Sequence, residues 1–127
     1  MKVYDASALL ALLNGEPGAE RVLQFLGEGP SAVASVSYAE VLSKLVDRGL
    51  TEVSADEAWR SIEIAVHPVD AGLARQAARL HATTRSFGLS LADRCCLALA
   101  TRLDGATIVT ADRAWKSLKG FRFSFIR

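Results

Sequence analysis

Short β-type runs alternate with segments of helical periodicity along this sequence, and that alternation limits the folds available to it. VYD at residues 3–5 precedes the helix-favouring series ASALLALL, and TIVTAD at residues 107–112 precedes a short polar segment. Between them, SAVAS at residues 31–35 precedes apolar residues that recur at helical spacing. This order predicts a mainly parallel central sheet flanked by helices, an α/β fold. A length of 127 residues predicts one domain, residues 1–127.

Composition and charge exclude several classes of protein. A hydrophobic content of 50% excludes a disordered chain, and a formal net charge of +1 excludes nucleic-acid binding through bulk positive charge. The adjacent Cys95 and Cys96 cannot link distant segments, so we expect reduced core cysteines. The sequence contains neither a signal-peptide pattern nor an apolar run of membrane-spanning length, so we expect no membrane association and a cytoplasmic location.

Local signals predict where several helices begin and end. Ser54 is the cap candidate of the segment TEVSADEAWRSIEIA, and a long helix is predicted from Asp70 to Gly88. The segment SLADRCCLALATRLDG is apolar nearly all round after its first turn, which predicts a buried helix. The alternating FRFSFI near the end predicts a last strand.

Four acidic residues stand where strands end or helices begin. Asp5 and Asp112 directly follow predicted strands, whereas Glu40 and Asp93 fall in the first turns of predicted helices. In an open parallel sheet these positions lie at one edge, where ligands bind. We therefore expect the four carboxylates to converge.

Each of these acids also has an ordinary structural explanation. SYAE and SLAD both fit a capping box, Asp5 and Asp112 fit simple N-caps, and Glu40 stands four residues before Lys44, as in an exposed ion pair. Asp93 is expected to be the exception, the one acid for which capping is not the favoured explanation. Because its helix is so apolar, a charged carboxylate there is unfavourable unless a cation accompanies it.

A converging set of four carboxylates has a specific chemistry. Their mutual repulsion favours a divalent cation, and oxygen ligands without His or Cys select Mg²⁺, with Mn²⁺ as an alternative. Such a site suits phosphodiester hydrolysis, in which the cation activates water and stabilises the phosphate. Ser7 and Thr110 are hydroxyls two residues from Asp5 and Asp112, and we expect them to orient a carboxylate or a water.

The set VYDASALLALL, SVSYAEVLSKL, SLADRCCLALA and TIVTADRAW resembles the PIN-domain ribonucleases, specifically the VapC-type toxins of toxin–antitoxin pairs. The resemblance covers essentially the whole chain. It implies a Mg²⁺-dependent endoribonuclease acting on RNA, a homodimer, and an antitoxin protein that blocks the site. It also implies that Asp5 and Asp93 are the direct metal ligands and that Glu40 and Asp112 complete the acidic site. Arg113 and Lys116 stand where some relatives have a further acid, which disfavours a second tightly held metal.

Competing hypotheses belong to other functional classes. The motifs GxGxxG, GxxxxGK[ST] and GxSxG are absent, so dinucleotide, P-loop and α/β-hydrolase chemistry have no support. A receiver-like module would need adjacent acids after the first strand and a lysine after the last. A non-catalytic, partner-binding α/β module would use the same acids only as helix caps.

Overall fold

Five strands form one parallel sheet in the order β3-β2-β1-β4-β5, and six helices cover its two faces in the computed structural model, which describes residues 1–127. The predicted α/β architecture is therefore confirmed. The strands are β1 (Lys2–Tyr4), β2 (Ser31–Ala34), β3 (Ala65–His67), β4 (Thr107–Thr110) and β5 (Phe123–Phe125). The helices are α1 (Ala6–Leu13), α2 (Ala19–Leu26), α3 (Ser35–Asp47), α4 (Glu52–Arg60), α5 (Ala71–Thr83) and α6 (Leu91–Arg102), with 3₁₀ turns at Arg85–Phe87 and Arg113–Ser117.

Both faces of the sheet are buried, because successive side chains of each central strand enter different layers. In β1, Val3 packs into the layer that contains α5 and α6, whereas Tyr4 packs into the layer that contains α1 to α4. In β4, Ile108 packs into the same layer as Val3, and Val109 packs into the same layer as Tyr4. The helix α6 contributes a continuous buried stretch from Cys95 to Ala100, as its apolar sequence predicts.

The central strand β1 positions the edge of the sheet at which the four acids were predicted to meet. It pairs with β2 on one side and with β4 on the other, and Tyr4 lies opposite Val109. The amide of Asp5 continues this ladder by donating to the carbonyl of Val109 at 3.1 Å. Asp5 therefore enters α1 directly beside the end of β4.

Some predicted helix boundaries are wrong. Thr51, rather than Ser54, caps α4, since its hydroxyl accepts the Ser54 amide at 3.0 Å. The long helix predicted from Asp70 to Gly88 ends at Thr83 and is followed by a 3₁₀ turn. No helix combines the length and the apolar composition that crossing a bilayer requires.

Gly18 allows the chain to turn tightly into α2. Its φ of +96° lies in the left-handed region that favours glycine, and an added Cβ would stand 2.7 Å from the backbone oxygen of Ile126. The lack of a side chain at Gly18 therefore allows the start of α2 to pack closely against Ile126, in the segment that follows β5.

Candidate active site

All four predicted acids line one pocket of about 130 Å³ at the carboxyl edge of the sheet. Larger depressions occur elsewhere, including one of about 450 Å³ beside α3 and α4, but none of the four acids lines them. The smaller pocket is the candidate site because it alone among these depressions is lined by the four acids. Its lining residues are Asp5, Ala6, Ser7, Glu40, Lys44, Asp93, Asp112 and Trp115.

Asp5 is the buried carboxylate of this pocket, with 5% of its surface exposed. It caps α1 by accepting the Ala8 amide on Oδ1 at 3.0 Å. The Ser7 hydroxyl lies 2.7 Å from Oδ1 and 2.9 Å from Oδ2, and the Thr110 hydroxyl donates to Oδ2 at 2.7 Å. Both hydroxyls that the sequence singled out thus contact this carboxylate.

Backbone amides fix the direction of these hydrogen bonds. The amide of Ala111 donates to the Ser7 hydroxyl and that of Asp112 donates to the Thr110 hydroxyl, both at 3.0 Å. Because each hydroxyl oxygen accepts from the backbone, its own proton is available for Asp5. The turn after β4 therefore holds the Asp5 carboxylate in one orientation.

Burial nevertheless makes the charge on Asp5 unfavourable. The pKa of Asp5 is raised overall from 3.8 to about 6, mainly by desolvation, and the nearby negative charge of Asp93 also raises it. The hydrogen bonds from Thr110, Ser7 and Ala8 act in the opposite direction. Asp5 is consequently ionised at neutral pH but is much more easily protonated than an ordinary aspartate.

Asp93 differs from its predicted environment. It is partly exposed, and it forms a capping box in which its Oδ2 accepts the Ser90 amide at 2.9 Å while its own amide donates to the Ser90 hydroxyl at 3.1 Å. The expectation that Asp93 is the one acid for which capping is not the favoured explanation is wrong, because Asp93 completes a capping box at the start of α6. The exceptional acid is Asp5.

Glu40 and Asp112 line the pocket from more exposed positions than Asp5. The helix α3 starts at Ser35 after the uncapped Ala34, so the predicted first-turn position and SYAE capping box for Glu40 are wrong. Glu40 instead pairs with Lys44, with 3.5 Å between Oε1 and Nζ. Asp112 caps the 3₁₀ turn, since its Oδ1 accepts the Ala114 amide at 3.0 Å.

Three lining residues were not among the predicted site residues: the small Ala6, Lys44 and Trp115. Lys44 could have been found from its spacing, since one helical turn places it beside Glu40. Trp115 is 1% exposed, and its indole N–H has no hydrogen-bond partner in the protein. The sequence offered no signal for that position beyond its closeness to Asp112.

The donors of the pocket fit a hard cation that retains water. They are all oxygens, and no group of three His, Cys, Asp or Glu side chains lies close enough to hold one ion together. Mg²⁺ typically binds proteins through one or two carboxylates, with waters and substrate phosphate completing its octahedron. The spread carboxylates suit that mode and do not suit a zinc cage.

The PIN domain family model matches residues 2–120 of the sequence. The chain belongs to the PIN domain family. It is a single PIN domain, and this membership replaces the receiver-like alternative. A comparison with curated proteins finds no matching sequence.

Solved structures share the fold of this PIN domain over almost its full length. A toxin–antitoxin complex from Klebsiella pneumoniae aligns with a TM-score of 0.74 and 18% identity over 100% of this chain and 98% of that chain. VapBC2 from Rickettsia felis, bound to a promoter DNA fragment, aligns with a TM-score of 0.77 and 15% identity over 98% and 97% of the two chains. VapC20 from Mycobacterium tuberculosis, a sarcin–ricin loop cleaving toxin, aligns with a TM-score of 0.76 and 20% identity over 95% and 96%. At these identities the likeness shows the fold.

Proposed function

We propose that this PIN domain is a Mg²⁺-dependent endoribonuclease that hydrolyses RNA phosphodiester bonds and serves as the toxin of a type II toxin–antitoxin pair. The observation that supports this most directly is the buried, ionisable Asp5 in a pocket with three further carboxylates. Mn²⁺ is an alternative cation, since it shares the preference of Mg²⁺ for oxygen ligands.

The non-catalytic alternative explains the same acids as structural groups. Asp5, Asp93 and Asp112 all cap helical turns, and Glu40 forms an ion pair on α3. For Asp5 this explanation is insufficient. Asn and Ser cap helices about as well as Asp, so a cap alone does not require a buried negative charge. A raised pKa at a buried carboxylate is instead typical of a functional site.

Within the proposed reaction, the chain's own residues bind and orient. Asp5 and Asp93 would hold Mg²⁺, and Glu40 and Asp112 would complete the acidic surround. When bound, the cation supplies positive charge that makes water more acidic and stabilises the phosphate as negative charge develops. Ser7 and Thr110 keep Asp5 oriented through the hydrogen bonds described above.

The proposed partners follow from the relatives of this fold. Several of the similar structures are toxin–antitoxin complexes, which supports a cognate antitoxin protein that blocks the pocket. A homodimer is proposed on the basis of the family resemblance alone. Expression of the chain should arrest growth in an Asp5-dependent manner, and co-expression of a short neighbouring reading frame should relieve the arrest.

The central test measures cleavage of labelled structured RNA by the purified chain with Mg²⁺ or with EDTA. We expect cleavage only with Mg²⁺, and at least a roughly hundredfold loss in Asp5→Asn, because the variant keeps the cap but lacks the charge. Asp70→Asn is the matched control, since Asp70 also caps a helix, by accepting the Leu73 amide at 2.8 Å, but does not line the pocket. Cleavage that persists in EDTA or in Asp5→Asn would overturn the proposal.

A further inference from the structure

Lys44 is the only cationic side chain that lines the acidic pocket. It lies on α3 one turn after Glu40, with its Nζ 3.5 Å from Glu40 Oε1. The other lining residues are the four acids, two small residues and Trp115. One ammonium group therefore stands among four carboxylates.

The pairing of Lys44 with Glu40 is weak. Their side chains are 52% and 36% exposed, and exposed pairs of this spacing contribute little to stability. By contrast, the Asp70–Arg102 pair is held by two hydrogen bonds of 2.9 and 3.0 Å. The Lys44 ammonium can thus leave Glu40 at small free-energy cost.

RNA would have to bring an anionic phosphate into a pocket of negative side chains. A divalent cation offsets part of the repulsion between the phosphate and the carboxylates. A positively charged side chain of the protein must offset the rest. We propose that Lys44 binds a non-bridging oxygen of the RNA phosphate at this site, leaving Glu40 as the substrate enters. This inference rests on the proposed ribonuclease function and adds a phosphate-binding residue to it.

The proposal predicts that losing the Lys44 charge strengthens the binding of metal and weakens the binding of RNA. Replacing Lys44 by Met removes a positive charge beside the carboxylates, so Mn²⁺ alone should bind about threefold more tightly in calorimetric titration. The same change removes the phosphate contact, so the KM for RNA should rise about tenfold while kcat stays within twofold. The slope of log KM against the logarithm of salt concentration should decrease by about 0.7, as expected for the loss of one phosphate contact to single-stranded RNA.

Two further variants make the test specific. Lys44→Arg keeps the charge and should restore most of the affinity for RNA. Lys2→Met is the control, because Lys2 also pairs with a glutamate, Glu28, at 3.3 Å, but stands at the opposite end of β1 from Asp5. It should leave KM and Mn²⁺ affinity within twofold of the wild-type values.

The possible outcomes separate this inference from the function on which it rests. An active wild type with unchanged KM in Lys44→Met would overturn the role of Lys44 and leave the nuclease proposal standing. Weaker binding of both Mn²⁺ and RNA would also overturn it, because Lys44 would then support the architecture of the metal site. A wild type that cleaves no RNA under any metal condition would overturn both.

Discussion

Removing the charge of Asp5 should stabilise the metal-free protein at neutral pH. Its pKa is about 6 in the fold against 3.8 for an unperturbed aspartate. Between these values the folded state binds more protons than the unfolded state, so stability falls as pH rises from about 4 to about 6. The full difference between the two pKa values corresponds to a loss of about 3 kcal/mol in the free energy of unfolding above pH 6. For a domain of this size, that loss is equivalent to a decrease of about 10 °C in Tm.

The assay compares wild type and Asp5→Asn by thermal unfolding in EDTA at pH 4.5 and at pH 7.5. Other groups also titrate in this range, but they are common to both proteins, so the change in their difference with pH isolates Asp5. We expect the variant to gain about 2 kcal/mol in free energy of unfolding relative to wild type between pH 4.5 and pH 7.5, because the unfolded carboxyl is already mostly ionised at pH 4.5. Asn keeps an oxygen for the Ala8 amide and therefore preserves the cap.

Mg²⁺ provides the complementary measurement. If the ion binds at Asp5, it should raise the Tm of wild type at pH 7.5 in a concentration-dependent manner and should have little effect on the variant. A variant that is less stable than wild type by the same amount at both pH values would refute the reasoning, because the charge on Asp5 would then carry no penalty.

Three further substitutions test neighbouring parts of the structure. Thr110→Val removes the donor to Asp5 Oδ2 and the acceptor of the Asp112 amide, so it should raise the pKa of Asp5 further, move the acidic limb of the activity profile to higher pH, and lower stability by about 1–3 kcal/mol. A profile identical to that of wild type would contradict this. Asp93→Asn retains an oxygen for the Ser90 amide, so cleavage should be lost while chemical denaturation shows stability within about 1 kcal/mol of wild type; full activity would remove Asp93 from the site. Gly18→Ala places a Cβ 2.7 Å from the Ile126 oxygen and should lower stability by more than about 1 kcal/mol in the same assay, whereas unchanged stability would mean that this contact relaxes freely.

The order of strands and helices could be predicted from the sequence because each element has a strong local signal. The central strands are short, almost continuously apolar runs, whereas the helices repeat apolar residues about every 3.6 positions, and parallel pairing follows from the alternation of the two kinds of segment. The sequence also placed Asp5 and Thr110 at the carboxyl ends of predicted strands, and the structure adds that these strands are adjacent and that the Thr110 hydroxyl donates to Asp5. Helix starts were less predictable, because several Ser and Thr residues near α3 and α4 fit a cap equally well.

The burial of each acid could not be predicted from its neighbours in sequence. Asp93 stands beside a long apolar stretch yet is partly exposed, because it lies in the first turn of α6. Asp5 stands between a short strand and small helix residues yet is buried, because it lies at the end of β1, the central strand of the sheet, which has β2 on one side and β4 on the other. Burial depends on which strand occupies the centre of the sheet, and that order is a property of the tertiary structure.

The geometry also makes capping compatible with the proposed metal binding by the same carboxylates. Asp5 and Asp112 each direct Oδ1 to an amide of the turn that follows, and Asp93 directs Oδ2 to the Ser90 amide. In Asp93 and Asp112 the amide contact occupies one oxygen, so the second oxygen remains to face an ion or a water. In Asp5 both oxygens accept hydrogen bonds, because the Thr110 hydroxyl donates to Oδ2, so an ion would use a remaining lone pair of these oxygens. The caps also prevent the carboxylates from moving apart to relieve their repulsion, which preserves an unfavourable metal-free state that a cation would stabilise. Substitution by Asn separates the two roles, because the amide side chain still caps the helix but carries no charge to bind a cation.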